Sequence, residues 1–406
     1  MPANGIYGRF RFGNEPGGPM ATLEQARGRT EALRRDADGR IDIKCLDLPQ
    51  LEAYFVDELG LKRTAAKRVF KAIWQRRATS LDALEDVSRE IREKVTRHFY
   101  LPTLTPELIL RSDDGSIKYL WKLEDGSQVE SVLIPEEDRI TLCVSSQVGC
   151  AMSCAFCLTG DLGLKRHMKP SEIAMQPLQV QADIEAFGGP FYEGKRISNI
   201  VMMGMGEPLH NLENVIAALK ICMDDDGMNF SHRKITVSTV GLVPRLAELA
   251  AALPVNLAVS LNATTEEQRR QIMPITRKHS MAELLDACRN YPLPRTKRIT
   301  FEYVMFEGFN DTLDDAERLV GLLEGIPSKV NLIPYNENPS RELRRPARDV
   351  VWAFKKFLMA RGVNCSIRAT RGIDISAACG QLGKAKQQVE EKGWVAEFRG
   401  SSPIPS

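Results

Sequence analysis

Long apolar runs are the first thing this chain lacks. No stretch approaches the roughly 18 hydrophobic residues that mark a membrane-spanning helix, and the N-terminus has no basic segment leading into an apolar core and a small-residue cleavage site. The expectation is a cytoplasmic protein with no membrane contact. An excess of one charge is missing too: the net charge is +2, so any nucleic-acid affinity has to come from local clustering. A paired set of cysteines is also absent. Nine occur, an odd number, and three of them crowd into residues 150–157, which is no secreted disulfide framework. What remains is ordinary for a soluble globular chain, 43% hydrophobic and 27% charged over 406 residues. That length suits two or three domains.

Patterning divides the chain. Residues 1–41 are rich in Gly, Arg and acids without apolar periodicity and read as a flexible extension, within which Met20 is an alternative start. Residues 42–101 read as a helical accessory domain, with Leu51, Tyr54 and Phe55, then Val69, Ile73 and Trp74, at three- and four-residue steps. Asp47 and Ser80 are expected to start helices. Lys62 to Arg77 holds seven Lys or Arg and no acid, and residues 61–100 hold 11 basic against 5 acidic residues, a local net of +6. A cluster of that kind is either a solvated helix face or a phosphate-binding surface. Residues 102–138 read as a β-rich linker. From 139 to 382 strand-like runs alternate with helical ones: Ile140–Ser146, Asn199–Met205, Ile235–Val240, Leu257–Leu261, Ile299–Met305, Val330–Pro334 and a seventh at Cys365–Thr370. Repeated βα units mean a parallel sheet with right-handed crossovers, and six are too few for a closed eight-fold barrel. Active-site groups are then expected at the strand C-terminal ends. Residues 383–406 form a tail. Cys45, Cys222, Cys288 and Cys365 lie in apolar or mixed segments and read as small buried hydrophobes.

The chemistry is concentrated in Cys150-Ala-Met-Ser-Cys154-Ala-Phe-Cys157. One short loop there presents three thiols to one centre, one ligand short of a closed zinc or all-cysteine iron–sulfur site. A zinc knuckle would need a distant fourth ligand such as His167. A [4Fe–4S] cluster would instead keep one iron open, and the spacing resembles the cluster loop of radical S-adenosylmethionine (SAM) enzymes. Met203-Gly-Met-Gly-Glu-Pro208 follows the second strand. Its Gly206 and Glu207 resemble the element that holds the SAM amino group in those enzymes. Ser238, then Ser260, Leu261 and Asn262, then Asn336 end later strands, where small polar groups would meet a cofactor's ribose and carboxylate; each taken singly is equally a cap or turn residue.

The combination of Cys143-Val-Ser-Ser-Gln-Val-Gly-Cys150, Met203-Gly-Met-Gly-Glu-Pro-Leu209, Leu332-Ile-Pro-Tyr-Asn336 and Gly372-Ile-Asp-Ile-Ser-Ala-Ala-Cys-Gly-Gln-Leu382 resembles the RlmN family over roughly residues 42–385. The resemblance implies an α/β fold, a partial (βα)6 radical-SAM barrel with a small N-terminal helical accessory domain. It implies a SAM-dependent enzyme that methylates C2 of an adenine in 23S rRNA and of another beside the anticodon in tRNA. Its cofactors would be a [4Fe–4S] cluster held by Cys150, Cys154 and Cys157, and SAM used twice per turnover. Cys379 would take a methyl as a thioether, a 5′-deoxyadenosyl radical would remove hydrogen from it, and the methylene radical would add to C2. Cys143 would then take the C2 proton and attack the Cys379 sulfur, leaving a disulfide for thiol exchange to reduce. Glu130 occupies the position that serves as proton acceptor in the family. Partners would be the two RNAs, a flavodoxin- or ferredoxin-like electron donor and a thiol reductant, with the enzyme a monomer. Gly372 and Gly380 suggest that the Cys379 loop is mobile.

Asn262 stands where many relatives carry His, and His167 where Asn is usual. Thr159-Gly-Asp-Leu-Gly163 also resembles the sister Cfr family, which methylates adenine C8, but Pro208 and Pro334 favour C2. A radical-SAM enzyme acting on a small metabolite and a zinc-dependent RNA-binding protein are the other readings. Anaerobic purification separates the last of these. Replacing Cys150, Cys154 or Cys157 by Ala is expected to abolish iron loading and SAM cleavage together, whereas a zinc-loaded, iron-free chain would contradict the cluster assignment.

Overall fold

The computed structural model describes residues 35–189, 192–338 and 341–392. Most of the expected N-terminal extension (1–34) and the end of the tail (393–406) lie outside the described residues. Three helices form the accessory unit. Helix α1, Leu48–Asp57, starts at a capping box in which Asp47 accepts from the Gln50 N–H and the Gln50 side chain accepts from the Asp47 N–H. Helix α2, Arg63–Trp74, buries Ala66, Val69, Phe70 and Ile73 and turns its cations outward. Helix α3, Arg89–His98, is capped by Ser88. Ser80 does not start a helix. Its Oγ accepts from Asp82 N–H in a turn (3.1 Å), and Leu81, Leu84 and Val87 reach the core from irregular chain at a helix-like spacing.

One ten-stranded sheet carries the rest. In chain order its strands are β1 Thr105–Arg111, β2 Ile117–Lys122, β3 Gln128–Pro135, β4 Ile140–Cys143, β5 Asn199–Met202, β6 Ile235–Thr239, β7 Asn256–Ser260, β8 Ile299–Met305, β9 Ser328–Pro334 and β10 Cys365–Ile367. Spatial order follows chain order without a break, β10 at one edge and β1 at the other. Strands β4–β10 are parallel and β1–β4 pair antiparallel. Residues 105–135 therefore extend the catalytic sheet rather than link two units. Strand β1 escaped the sequence reading because its Leu108-Ile-Leu110 run is buried throughout, giving no alternation, and a register shift follows Pro106.

The strands end earlier than their apolar runs. After Cys143 the chain leaves the sheet: Val144 N–H still donates to Val201 carbonyl (3.0 Å), but Gly204 N–H then donates to Val144 carbonyl (3.1 Å) and Ser146 N–H to Met205 carbonyl (2.8 Å). What looked like strand from 144 to 146 is thus the floor of the loops above the sheet. Between residues 150 and 187 stand a one-turn helix α4, Leu158–Asp161, and helix α5, Pro170–Phe187. The later crossovers are α6 Leu212–Met223, α7 Val243–Ala252, α8 Glu266–Ile272 with α9 Met281–Arg289, α10 Leu313–Leu322 and α11 Arg348–Ala360. Helix α12, Ala385–Lys392, ends the described chain. No helix among the described residues is long and apolar enough to cross a membrane.

The accessory unit is fixed to the start of α5 by buried charge. Asp42 accepts from Ser171 Oγ (2.5 Å) and pairs with Lys169 (3.3 Å), which also pairs with Glu124. Next to this, Arg166 donates two bonds to Asp125 (2.7 and 3.0 Å) and two to Glu172 (2.8 and 2.9 Å). Partial burial would raise the Asp125 pKa, but the Arg166 bonds overcome it and hold the carboxyl at about 2. A depressed carboxylate contributes stability above its unfolded value of about 3.9 and loses it as pH falls toward the folded value. Asp125→Asn is accordingly expected to be less stable than wild type at pH 6 and to show a shallower loss between pH 4 and pH 2. Thermal melts across that window check it; parallel acid limbs would contradict it.

Candidate active site

The cysteine loop sits on a small antiparallel ribbon, Gln147–Gly149 against Leu164–His167. Gly149, at φ +76°, lies so close to the Gly163 carbonyl that no Cβ fits. Cys150 N–H donates to that same carbonyl (3.0 Å), and Ala155 N–H to Ile272 carbonyl (2.9 Å). Met152, Ile272, Met273, Phe306 and Tyr335 form a separate apolar cluster around the loop, with Phe156 against Phe306 (ring centroids 5.7 Å apart). All three thiols are pushed above their ordinary range, first by burial; Cys154 is raised further by Cys157 and Cys150, and Cys150 by Cys157. Thiolates in so dry a place need a cationic centre. Among the described residues no three His, Cys, Asp or Glu side chains converge as ligands of one ion. A cubane cluster takes one thiolate per iron, so three neighbouring but separated thiols fit it. His167, the candidate fourth zinc ligand, has its Nδ1 on Gln147 Nε2 (2.9 Å).

The second-strand loop lies beside this one. Gly204 and Gly206 are required by close packing of the protein's own chain. A Cβ at 204 would stand 2.7 Å from Val144 C and O, and one at 206 would stand 2.5 Å from Gln147 Cβ. Glu207 is buried, accepts from Leu209 N–H (3.0 Å) and Val240 N–H (2.8 Å), and is pushed up to about 7 by burial. Ser238 and Ser260 sit half-buried at the C-terminal ends of β6 and β7, and Leu261 just beyond is fully buried. Asn262, at φ +57°, spends its side chain within the protein, accepting from Val304 N–H (2.9 Å) and donating to Met273 Sδ (3.4 Å). Asn336 donates to the Cys379 carbonyl (3.2 Å), and its buried Oδ1 has no hydrogen-bond partner among the described residues.

Below lies the sheet's concave interior, a cavity of about 460 Å³ whose lining includes Cys143, Cys379, Asn336, Arg368, Glu302 and Met203. Cys143 ends β4 opposite Val132 and Val201. Burial pushes its thiol up to about 12, the neighbouring Cys379 adds to this and Arg368 opposes it. Both cysteines are free thiols. Glu130 does not line the cavity. It is buried against Lys118 (3.1 Å), with Gly383 and Ala385 N–H on its Oε1 (2.9 and 3.0 Å). The expected mobile loop around Cys379 is stitched down: Leu158 N–H donates to Gly380 carbonyl (2.8 Å), Thr159 Oγ1 to Leu382 carbonyl (2.8 Å) and Ser112 Oγ to Asp374 (2.6 Å).

Three residues, Gln147 and Arg269 buried and Arg368 half-buried, were not singled out from sequence. Gln147 accepts from Glu207 N–H (2.8 Å) and touches His167 and His210. Arg269 donates to the carbonyls of Val240, Ser260 and Leu261 (2.6, 3.1 and 3.2 Å), stands near Cys154 and is lowered to about 10 by burial. Arg368 donates to Met203 Sδ (3.4 Å) and has Cys379, Glu302 and Cys143 as charge neighbours. Gln147 carried a signal, since it lies between Cys143 and Cys150. Arg269 lies in Glu-Glu-Gln-Arg-Arg, which reads as a solvated helix face.

Residues 144–322 match the model of the radical SAM superfamily, and residues 41–101 that of the ribosomal RNA large subunit methyltransferase N-terminal domain. The Dual-specificity RNA methyltransferase RlmN of Geobacter sulfurreducens is 52% identical over 85% of this chain and 92% of its own length. The chain belongs to the RlmN family. A second relative, RlmN 2 of Myxococcus xanthus, is 49% identical over 87% of this chain and 93% of its own. A crystal structure of a radical SAM methyltransferase from Sphaerobacter thermophilus superposes with a TM-score of 0.77 at 39% identity, covering 84% of this chain and 98% of that one. Membership in the radical SAM superfamily implies a [4Fe–4S] cluster and SAM.

The Gly204 approach sets the distance between the loop at 203–209 and the end of β4. Gly204→Ala would drive a methyl into the Val144 backbone, which has no flexible atom to yield. A loss of about 1–3 kcal/mol is expected, read by chemical denaturation; unchanged stability would mean that the two loops part readily.

Proposed function

We propose that this chain methylates C2 of an adenine in 23S rRNA and of an adenine beside the anticodon in tRNA, in the cytoplasm, through a methylated Cys379. One observation carries the reading: in a chain of the RlmN family, the Cys379 segment is hydrogen-bonded to the cysteine loop and its thiol shares a cavity with Cys143. When bound, the cluster and SAM supply a one-electron reduction and a 5′-deoxyadenosyl radical.

The chain's own residues do the rest. Cys150, Cys154 and Cys157 hold the cluster. Gly206, Glu207, Ser238, Ser260, Leu261 and Asn336 border the space above the strand ends for SAM, while Asn262 shapes its turn. An aromatic C2–H is neither acidic nor nucleophilic, so the methyl is first stored on the Cys379 sulfur with one SAM consumed. With the second SAM bound, the Cys379 S-methyl would give up one hydrogen to the 5′-deoxyadenosyl group; as its carbon bonds to C2 the odd electron would return to the cluster, leaving RNA tethered to Cys379. Cys143 then removes the C2 proton and attacks the Cys379 sulfur. The S–CH2 bond breaks with its electron pair going to carbon, which takes up a proton and leaves as methyladenine; over the cycle two thiols have become one disulfide, and a thiol reductant returns two electrons and two protons. Thr159-Gly-Asp-Leu-Gly163 keeps the C8 reaction as the second reading.

Order of action gives the test. Cys379→Ala is expected to load a cluster yet form no bond to RNA. Cys143→Ala is expected to stall after bond formation as a protein–RNA adduct that survives a denaturing gel and maps to Cys379. Free methylated product from Cys143→Ala would contradict the assignment.

RNA docking falls to part of the basic stretch only. Lys67 pairs with Asp226 (2.7 Å), Arg77 with Glu185 (2.6 Å) and Arg76 with Asp86. Asp226 and Glu185 lie outside the accessory unit, so Lys67 and Arg77 dock that unit, while Asp86 ties Arg76 within it. Arg68 and Lys71 are exposed and form no ion pair among the described residues. Reversing those two is expected to weaken RNA binding and flatten its salt dependence by about one charge each, with uncoupled SAM cleavage intact. Unchanged affinity would return them to a solvated face.

A further inference from the structure

The Lys118–Glu130 pair is buried at both ends, each residue 1% exposed, and neither lines the cavity that holds the two thiols. Its hydrogen bonds instead bracket Cys379. Lys118 Nζ donates to Ser376 carbonyl (3.1 Å), before the cysteine, and to Gln388 Oε1 (3.1 Å), after it. Glu130 Oε1 accepts from Gly383 and Ala385 N–H (2.9 and 3.0 Å), and its Oε2 meets Lys118 Nζ (3.1 Å). The pair is rooted in the antiparallel wing. Lys118 stands opposite Val132 on the neighbouring strand, and Val132 stands opposite Cys143. One rigid register therefore fixes both the Cys143 end and the grip on the Cys379 segment.

We propose that the buried Lys118–Glu130 pair is a clasp that positions Cys379 over the lumen, so that both residues act on the reaction through that segment. This rests on the reading of Cys379 as the methyl-carrying thiol. A buried ion pair adds little stability over apolar packing of the same volume, whereas removing one partner leaves an uncompensated charge. Here the charges have a second use: four hydrogen bonds hold a segment that belongs to no strand of the sheet. Glu130 is a positioning residue in this account, not the acceptor of the substrate proton.

The replacement that separates the two roles is Glu130→Gln, which keeps an acceptor for Gly383 and Ala385 N–H but takes no proton. Lys118→Met, Glu130→Ala, Glu130→Gln and the double Lys118→Met/Glu130→Gln are compared in the cluster-loaded enzyme. Amide hydrogen exchange of 383 and 385 is read beside turnover, with circular dichroism confirming the fold. Lys118→Met is expected to speed exchange at these amides by roughly tenfold or more and to cut turnover, because it buries a lone carboxylate. The double variant, with no unpaired charge, is expected to restore protection and most of the turnover. A double variant as inactive as Glu130→Ala with both amides still protected would overturn the clasp in favour of proton transfer by Glu130. Protected amides in Lys118→Met would overturn it as well. Amide exchange does not depend on which thiol carries the methyl. Loosened amides with turnover intact would overturn the clasp's role in the reaction, whereas methylated product from Cys379→Ala would overturn the reading of Cys379 on which the clasp rests.

Discussion

Two loops more than 200 residues apart in sequence meet in this site, and their contact fixes where its thiols stand. Leu158 N–H reaches the Gly380 carbonyl at 2.8 Å, and Thr159 Oγ1 reaches the Leu382 carbonyl at the same distance. Gly380 has φ +84°, and a Cβ there would stand 2.9 Å from the Phe156 carbonyl, so only glycine lets the chain pass this close to the cysteine loop. Through that contact a thiol near the C-terminus is held beside a loop whose three cysteines are poised for a cluster. The same contact leaves Cys379 facing Cys143 across the cavity.

The sheet supplies the frame. Because its ten strands lie in chain order, each parallel strand delivers its C-terminal end next to that of its predecessor, and residues from six crossovers gather without long excursions. The antiparallel strands β1–β3 widen the frame on the Cys143 side, where the Cys379 segment rests. Polar hubs fix the loops above it. Gln176 holds Ser145 from both sides, accepting from its N–H (2.8 Å) and donating to its carbonyl (2.9 Å). Gln147 and Arg269 bind the Glu207 loop and the ends of β6 and β7 in the same manner. Buried polar groups of this kind cost free energy unless every partner is present, so the site is ordered by satisfaction of its backbone.

Much of this was legible in the residues. The βα alternation after Arg139 located every parallel strand, because short runs rich in β-branched residues alternate there with stretches of helical periodicity. The triple-cysteine spacing and the loop at Gly206-Glu207 marked the chemistry. Other features were not legible. The wing looked like a linker because strand pairing across 105–135 is non-local, and Ser80 looked like a cap because Leu81, Leu84 and Val87 share a helix spacing. Gly372 and Gly380 suggested mobility, yet Gly380 serves close packing. Arg269 and Lys118 were hidden by composition: a cation in a charged or alternating segment reads as exposed until the fold shows what surrounds it.

The claim at the centre of this account is that Cys379 and Cys143 act in succession on one adenine carbon. Nucleoside mass spectrometry of rRNA and tRNA tests it most directly, in cells lacking this protein that are supplied with wild type, Cys379→Ala or Cys143→Ala. The account predicts 2-methyladenosine in both RNA pools with wild type and in neither with the two variants. Restoration of 2-methyladenosine by either variant, or 8-methyladenosine in its place with wild type, would contradict it.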